Sequence, residues 1–447
     1  MHVCAAAQSD HAGAPCPRVS PAGRGPEDEP ESLRPVLPLP RSPPPVNVDA
    51  LIRLALVGGL LAAVPLTWWL LSQRGQPPAR RLAALTALTL FLTLDLLAFG
   101  VFTRLSDSGL GCPDWPGCYG LASPVGAQAH IAQAEAAQPD GPVTWAKAWI
   151  EMVHRYLAMA VGLLILIGAV AAWRHRRALP HSPGWAALTL VWVVVQGLFG
   201  KYTVTLKLYP AIVTLHLLGA LVLLGLLALQ HMSYRQALAP PPAMHPQTWR
   251  RLAGVGLGLL TVQVALGGWV STNYAVLACQ GFPACNGSFW PSMAWSQGFS
   301  PLRPLGHAQD GGLLAFEALV AIHWTHRLFA MLVLGCLGVL AWRLWRQPVE
   351  RRWGQALAGL LALQLVTGVS NVVLSWPLAA ALVHSVGAAL LFTLLVALLA
   401  GEAWARHAPA PGAPQPGGRR RSMAVMSSSP MRASALTAGP RSGPRKA

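Results

Sequence analysis

Charge is what this chain has least of. Only 11% of its 447 residues are charged, and just 16 are Asp or Glu. Soluble globular domains carry about 25% charged residues, so this composition excludes that class and points to a membrane protein. The uncharged runs are long. A bilayer-spanning helix needs roughly 20 apolar residues, and nine stretches qualify, at about 51–72, 83–103, 149–172, 185–203, 211–231, 251–271, 320–342, 354–374 and 379–401. The two ends lack apolar material instead. Residues 1–47 are Pro-rich with an acidic "PEDEPE", and 403–447 are Pro, Gly, Ser and Arg, so neither end could bury a core and both are expected to be disordered tails. No apolar h-region precedes the first stretch, which argues against a signal peptide.

The net charge of +17 would suit a nucleic-acid partner, but its placement argues against one. Arg74, Arg80 and Arg81 sit on one short connection, Arg174, Arg176 and Arg177 on the next but one. Arg235, Arg250 and Arg251 follow, then Arg343, Arg346, Arg351 and Arg352, and the basic C-terminal tail. Basic residues on every second connection mark the cytoplasmic side of a membrane. The intervening connections then face outward, and an odd number of spans places the N-terminus outside.

The chain repeats itself. Gln196, Gly200 and His216 recur as Gln364, Gly368 and His384, each 168 positions later. Cys112, Pro116, Cys118 and Gly120 recur as Cys279, Pro283, Cys285 and Gly287 at 167, and "HRYLAM" at 154–159 recurs as "HRLFAM" at 326–331. Four spans separate the copies, so the repeats are parallel. The expected fold is an all-α integral membrane protein of two tandem four-helix bundles, over 83–235 and 250–402, plus one extra N-terminal helix with its connection over 48–82.

Ionisable groups inside a membrane are costly and mark function by default. Four histidines hold equivalent places near the outer ends of their helices: His154 and His216 in the first unit, His326 and His384 in the second. Two facing histidines at one depth can grip a haem iron from both sides. The plainer reading, a histidine bonded to a neighbouring helix, explains one such residue more easily than two matched pairs. Arg155 and Arg327 follow their histidines directly; either they pair with outward-pointing haem propionates or they snorkel to the interface. His323, one turn before His326, competes as ligand, but the repeat aligns it with Glu151. His175, His181, His231, His245 and His407 fall at helix ends or on the basic side and read as solvated. Glu151 has no acidic counterpart. A carboxylate beside a ligand suits proton-coupled oxidation, and the alternative is a simple ion pair with Arg155 or another cation.

Four of the seven cysteines form two pairs of equal spacing, "CPDWPGC" and "CQGFPAC", at the start of the two longest outer loops. An oxidising outer face favours the disulfides Cys112–Cys118 and Cys279–Cys285, with free or redox-active thiols as the other reading. Zinc would need further ligands at suitable spacing. Cys336 lies mid-helix and reads as a small core residue.

Together the loop "TRLSDSGLGCPDWPGCYG", the motif "EMVHR", the "TLH" and "LVH" helices and the twofold four-helix repeat resemble the haem A synthase family over about 83–401. The resemblance implies oxidation of the C8 methyl of haem O to a formyl group, through hydroxylated intermediates, for haem-copper terminal oxidases. It implies haem b held by His326 and His384, and haem O as substrate near His154 and His216. It also implies catalysis by Glu151 and a role for Cys112 and Cys118 in activity or its maintenance. The partners it implies are the farnesyl transferase that makes haem O and an electron acceptor, in a bacterial inner membrane with the cysteine loops periplasmic. The helix at 51–72 and both tails depart from the family pattern. A di-haem b-type cytochrome that only passes electrons would explain the histidines but neither the cysteine loops nor the Glu151/His323 difference. A repeat-built transporter would show broken helices near the midplane, whereas the polar residues here gather near one face.

Overall fold

The computed structural model describes residues 48–179, 182–238 and 248–405. The expected tails, with Cys4, Cys16, His181, His245 and His407, lie outside the described residues, although the last helix runs to 405. The elements in order are α1 Val48–Ser72, α2 Pro78–Leu105, α3 Gln128–Ala137, α4 Trp145–Arg174, α5 Gly184–Thr205 and α6 Pro210–Gln236, followed by α7 Thr248–Thr272, α8 Trp295–Gly298, α9 Phe316–Trp345, α10 Arg351–Val373 and α11 Leu378–Ala405. Among the described residues, nine helices are long and apolar enough to cross a membrane, and the chain is a multi-pass membrane protein.

Each expected span is a helix, lengthened by a few residues where polar ends suit the interface. Proline opens α2 and α6, where its missing N–H costs nothing. Thr144 caps α4, its hydroxyl accepting from the Lys147 amide at 3.3 Å.

Helix contacts close two rings. In the first, α2 packs on α4 and α6, and α5 completes the circle against both. In the second, α7 and α10 each pack on α9 and α11. The rings meet where α6 lies against α11 and α7, and α2 against α11. Leu97, Leu221, Leu224, Leu260, Phe392 and Leu395 fill that seam. Helix α1 stands outside, on α4. Gly58 makes this possible, because a Cβ there would come within 2.5 Å of the Met159 Cβ.

At the end carrying the cysteine loops, Arg104 Nη2 donates to the Ser271 carbonyl at 2.6 Å, and the Tyr274 hydroxyl donates to Asp107 Oδ1 at 2.7 Å. The two residues of each pair stand 167 positions apart. Equivalent positions of the repeat therefore touch one another, the mark of a pseudo-twofold axis passing between the ends of α2 and α7.

At the arginine-rich end, His231 is not solvated as expected. It is half-buried, and its Nδ1–H donates to the Ala83 carbonyl at 2.9 Å, because α6 packs closely on α2 there.

Candidate functional site

The cysteine loops come first, because the arginines hold them. Cys112 and Cys118 are disulfide-bonded, as are Cys279 and Cys285, with Cα–Cα 4.9 Å in each pair. Each loop closes on a matching isolated bridge, Cys118 to Leu121 and Cys285 to Ser288. Asp114 Oδ1 and Oδ2 accept from the amides of Tyr119 and Gly120, both at 2.6 Å, and Asn286 fixes the second loop through its own amide and carbonyl.

Both arginines beside the first histidines reach into these loops. Arg155 is buried rather than snorkelling. Its Nη1 donates to the carbonyls of Asp114 at 2.9 Å, Pro116 at 3.1 Å and Gly117. Arg327 donates to Gly281 O at 2.9 Å, Ala284 O at 3.3 Å and Cys279 O. A guanidinium has five donors in a rigid fork, enough to pin a loop of inward-turned carbonyls onto a helix.

One turn before each arginine the halves differ. Glu151, 3% exposed, pairs through Oε1 with Arg155 Nη2 and accepts the Cys112 amide at Oε2, at 2.7 Å. The carboxylate is thus tied directly to the disulfide loop. In the second half His323 takes that place, its Nε2 accepting from Arg327 Nε at 3.3 Å. This engagement ties His323 to Arg327, whereas the His326 ring makes no contact with that arginine's donors.

The four histidines are half-buried and lie near each other in pairs. His154 lies within electrostatic range of His216, and His326 of His384. Each ring rests on a glycine from the preceding helix of its ring. A Cβ on Gly100 would come within 2.8 Å of His154 Nε2, on Gly267 within 3.0 Å of His326 Cε1, on Gly368 within 3.3 Å of His384 Cε1 and on Gly200 within 3.7 Å of His216 Cε1. Flat rings set in such hollows, with half-buried edges and apolar walls, fit a planar haem between two imidazoles. Among the described residues no group of three or more His, Cys, Asp and Glu could hold a bare metal ion.

The surroundings of the two pairs are unequal. His384 Nδ1 lies 3.0 Å from Thr367 Oγ1, and Gln364 Nε2 donates to the His384 carbonyl at 2.9 Å. The amide of Gln263 reaches the His326 ring at 3.1 Å and the His326 carbonyl at 3.2 Å. In the first half His216 Nδ1 is buried with no hydrogen-bond partner, and so are both side-chain polar atoms of Gln196. His154 stacks on Phe99 instead, centroids 6.4 Å apart.

Several groups at or near the site were not singled out by sequence reasoning. Asp95 stands inside α2, exposed and four residues before Phe99, with no ion-pair partner among the described residues. A charge within a spanning run was the signal that could have found it. Lys201 Nζ sits 5.8 Å over the Trp115 ring of the first cysteine loop. Arg303, fully buried in the second outer loop, donates to Asn273 Oδ1 at 2.7 Å and to His307 O at 3.3 Å. Cys336, which the sequence did single out as a small core residue, is a free, partly buried cysteine.

Comparison with known proteins gives a concordant result. Residues 83–396 match the family model COX15-CtaA, described as cytochrome oxidase assembly protein. The chain is 39% identical over 319 residues to a protein named "Heme A synthase" from Shewanella oneidensis, covering 71% of this chain and 96% of that one. It is 26% identical over 322 residues to the protein of that name from Halalkalibacterium halodurans, covering 71% and 95%. For the one from Paracoccus denitrificans the identity is 27% over 352 residues, covering 72% and 88%.

Proposed function

The chain belongs to the COX15-CtaA family of cytochrome oxidase assembly proteins, and from that premise we propose that it carries out haem A synthesis, oxidising the C8 methyl of haem O to a formyl group. The relatives named for this activity support the reading over most of the chain. The observation that carries it is the inequality of two otherwise matched halves. Both have paired histidines, an arginine-pinned loop and a disulfide, but only the first has a buried carboxylate, Glu151, beside its histidine.

In this reading residues 83–235 are the substrate half. His154 and His216 would hold the iron of haem O, with Glu151 one turn before His154 on the same helix. Removing electrons from a methyl group releases protons, and a fixed carboxylate can take one. Glu151 is oriented for this at both oxygens, by Arg155 and by the Cys112 amide. The disulfide keeps the loop, and with it that amide, in place. Residues 250–402 are the cofactor half, where His326 and His384 would hold haem b. When bound, haem b supplies a one-electron acceptor near the substrate half. Arg155 and Arg327 add positive charge at the edge where propionates would lie while their donors hold the loops. The second disulfide, Cys279–Cys285, does for its loop what Cys112–Cys118 does in the first half.

The setting is a bacterial inner membrane. The arginine-rich connections and the C-terminal tail face the cytoplasm, and the cysteine loops face the periplasm. A farnesyl transferase delivers haem O, and a further acceptor removes electrons from haem b.

The test is co-expression with a haem O producer, followed by pigment extraction. Haem A is expected only when this protein is present. Absence of both haem A and hydroxylated haem O would favour an electron-passing cytochrome instead. The purified protein is expected to show a low-spin haem b spectrum that disappears in His326→Ala and His384→Ala; persistence of the spectrum would overturn the cofactor assignment.

A further inference from the structure

The repeat offers an internal control on what makes a histidine a permanent ligand. Around His384 the hydrogen atoms can be assigned. Thr367 has one hydroxyl proton, and it goes to the Leu363 carbonyl, 2.6 Å away, the usual arrangement for a threonine inside a helix. The hydroxyl oxygen can then only accept from His384 Nδ1, 3.0 Å away. Nδ1 therefore carries the proton, and Nε2 presents its lone pair. A ligand histidine whose second nitrogen donates in this way is fixed in tautomer and ring orientation and is a better donor to iron. The Gln364 amide holds the backbone of the same residue.

At the 168-residue offset, the position of Thr367 in the first half is Phe199. A phenyl ring accepts no such bond, and His216 Nδ1 is buried without a partner. Gln196, the counterpart of Gln364, makes no hydrogen bond through either side-chain atom. At the offset of 167, Gln263, whose side-chain amide donates to the His326 carbonyl at 3.2 Å, is replaced by Leu96, which has no donor. All three supports present in the second half are missing in the first.

We infer that Thr367 is the positioning residue that makes the second-half haem resident, and that Phe199 at the equivalent place leaves His216 an exchangeable ligand, so that substrate can enter and product can leave. This rests on the proposed assignment of the two halves. It adds the residues that decide which haem stays.

The experiment uses the full-length protein in detergent with Thr367→Val, Thr367→Ser and Phe199→Thr. Haem loss is followed by transfer to excess apomyoglobin, and the midpoint potential of the low-spin haem by redox titration. Second-sphere partners of metal ligands typically change affinity by about 10- to 100-fold. Thr367→Val is expected to speed loss of the resident haem by at least ~10-fold and to raise its midpoint potential, because the lost Nδ1–H···O bond no longer favours the oxidised iron. Thr367→Ser restores both. Phe199→Thr, in protein loaded with haem O, is expected to slow release from the first half by ~10-fold. Wild-type haem loss and potential in Thr367→Val, no rescue by serine, or unchanged release in Phe199→Thr would each overturn the inference. Phe199→Thr keeps it testable should Thr367→Val not accumulate in membranes. A resident haem that vanishes in His154→Ala and His216→Ala but survives in His326→Ala would instead overturn the assignment of the halves.

Discussion

At the scale of single residues, the two halves part at what one turn of helix places beside an arginine. Arg155 meets a carboxylate and Arg327 meets an imidazole. Glu151→Gln keeps the shape and one acceptor for the Cys112 amide but removes the proposed proton acceptor together with its ion pair to Arg155. General-base contributions are about 100-fold or more, so haem A in extracted pigment is expected to fall by at least ~100-fold, with the haem b spectrum unchanged. Arg303→Ala leaves Asn273 Oδ1 buried without its charged donor, a loss of about 2 kcal/mol, read as a lower Tm and faster proteolysis of the second outer loop. The histidines, Glu151 and the cysteine pairs were legible in the sequence because the repeat showed which polar residues recur and which does not. The carbonyls bound by the two arginines were not legible, since any residue supplies a carbonyl and only the loop path decides where it points. Thr367 was equally silent. A threonine in an apolar helix looks like ordinary small packing until its proton is traced to Leu363.

At the scale of elements, the long helices could be read from apolar length alone, and their order and spacing survive in the structure. The short helices α3 and α8 were not read, because they lie in mixed-polarity outer loops where tertiary contacts override weak local preference. Helix α1 lies outside the family match, which begins at residue 83, and docks on α4 through Gly58. Gly58→Leu forces a side chain against Met159 and Ala160. Overpacking of this kind costs about 1–3 kcal/mol, so a lower Tm is expected while haem A formation persists; unchanged Tm would show that α1 contributes little to the first ring. In the loops, Cys112→Ala with Cys118→Ala is expected to lower haem A formation with helix content by circular dichroism unchanged, because the loop that carries the Cys112 amide to Glu151 is released.

At the scale of the whole molecule, two rings of four helices meet across a pseudo-twofold axis, and the seam at the cysteine-loop end is polar. Tyr274→Phe removes the donor to Asp107. A net hydrogen bond to a charged group contributes about 1.5–3 kcal/mol when shielded, and this one is exposed, so a small Tm change is expected, measured against Arg104→Ala, which also removes the stacking over Tyr274 and the bond to Ser271. That seam has a consequence for ancestry. Two identical chains meeting on a true twofold axis must present the same residue from both sides, so an aspartate there would face an aspartate and an arginine an arginine. Joining the two copies into one polypeptide lifts that rule. Asp107 then faces a tyrosine and Arg104 a serine, and the same freedom lets one copy acquire a glutamate and lose a threonine while the other does the reverse. On the proposed assignment of the halves, joining two copies in one chain is what frees one half for the substrate and the other for the resident haem.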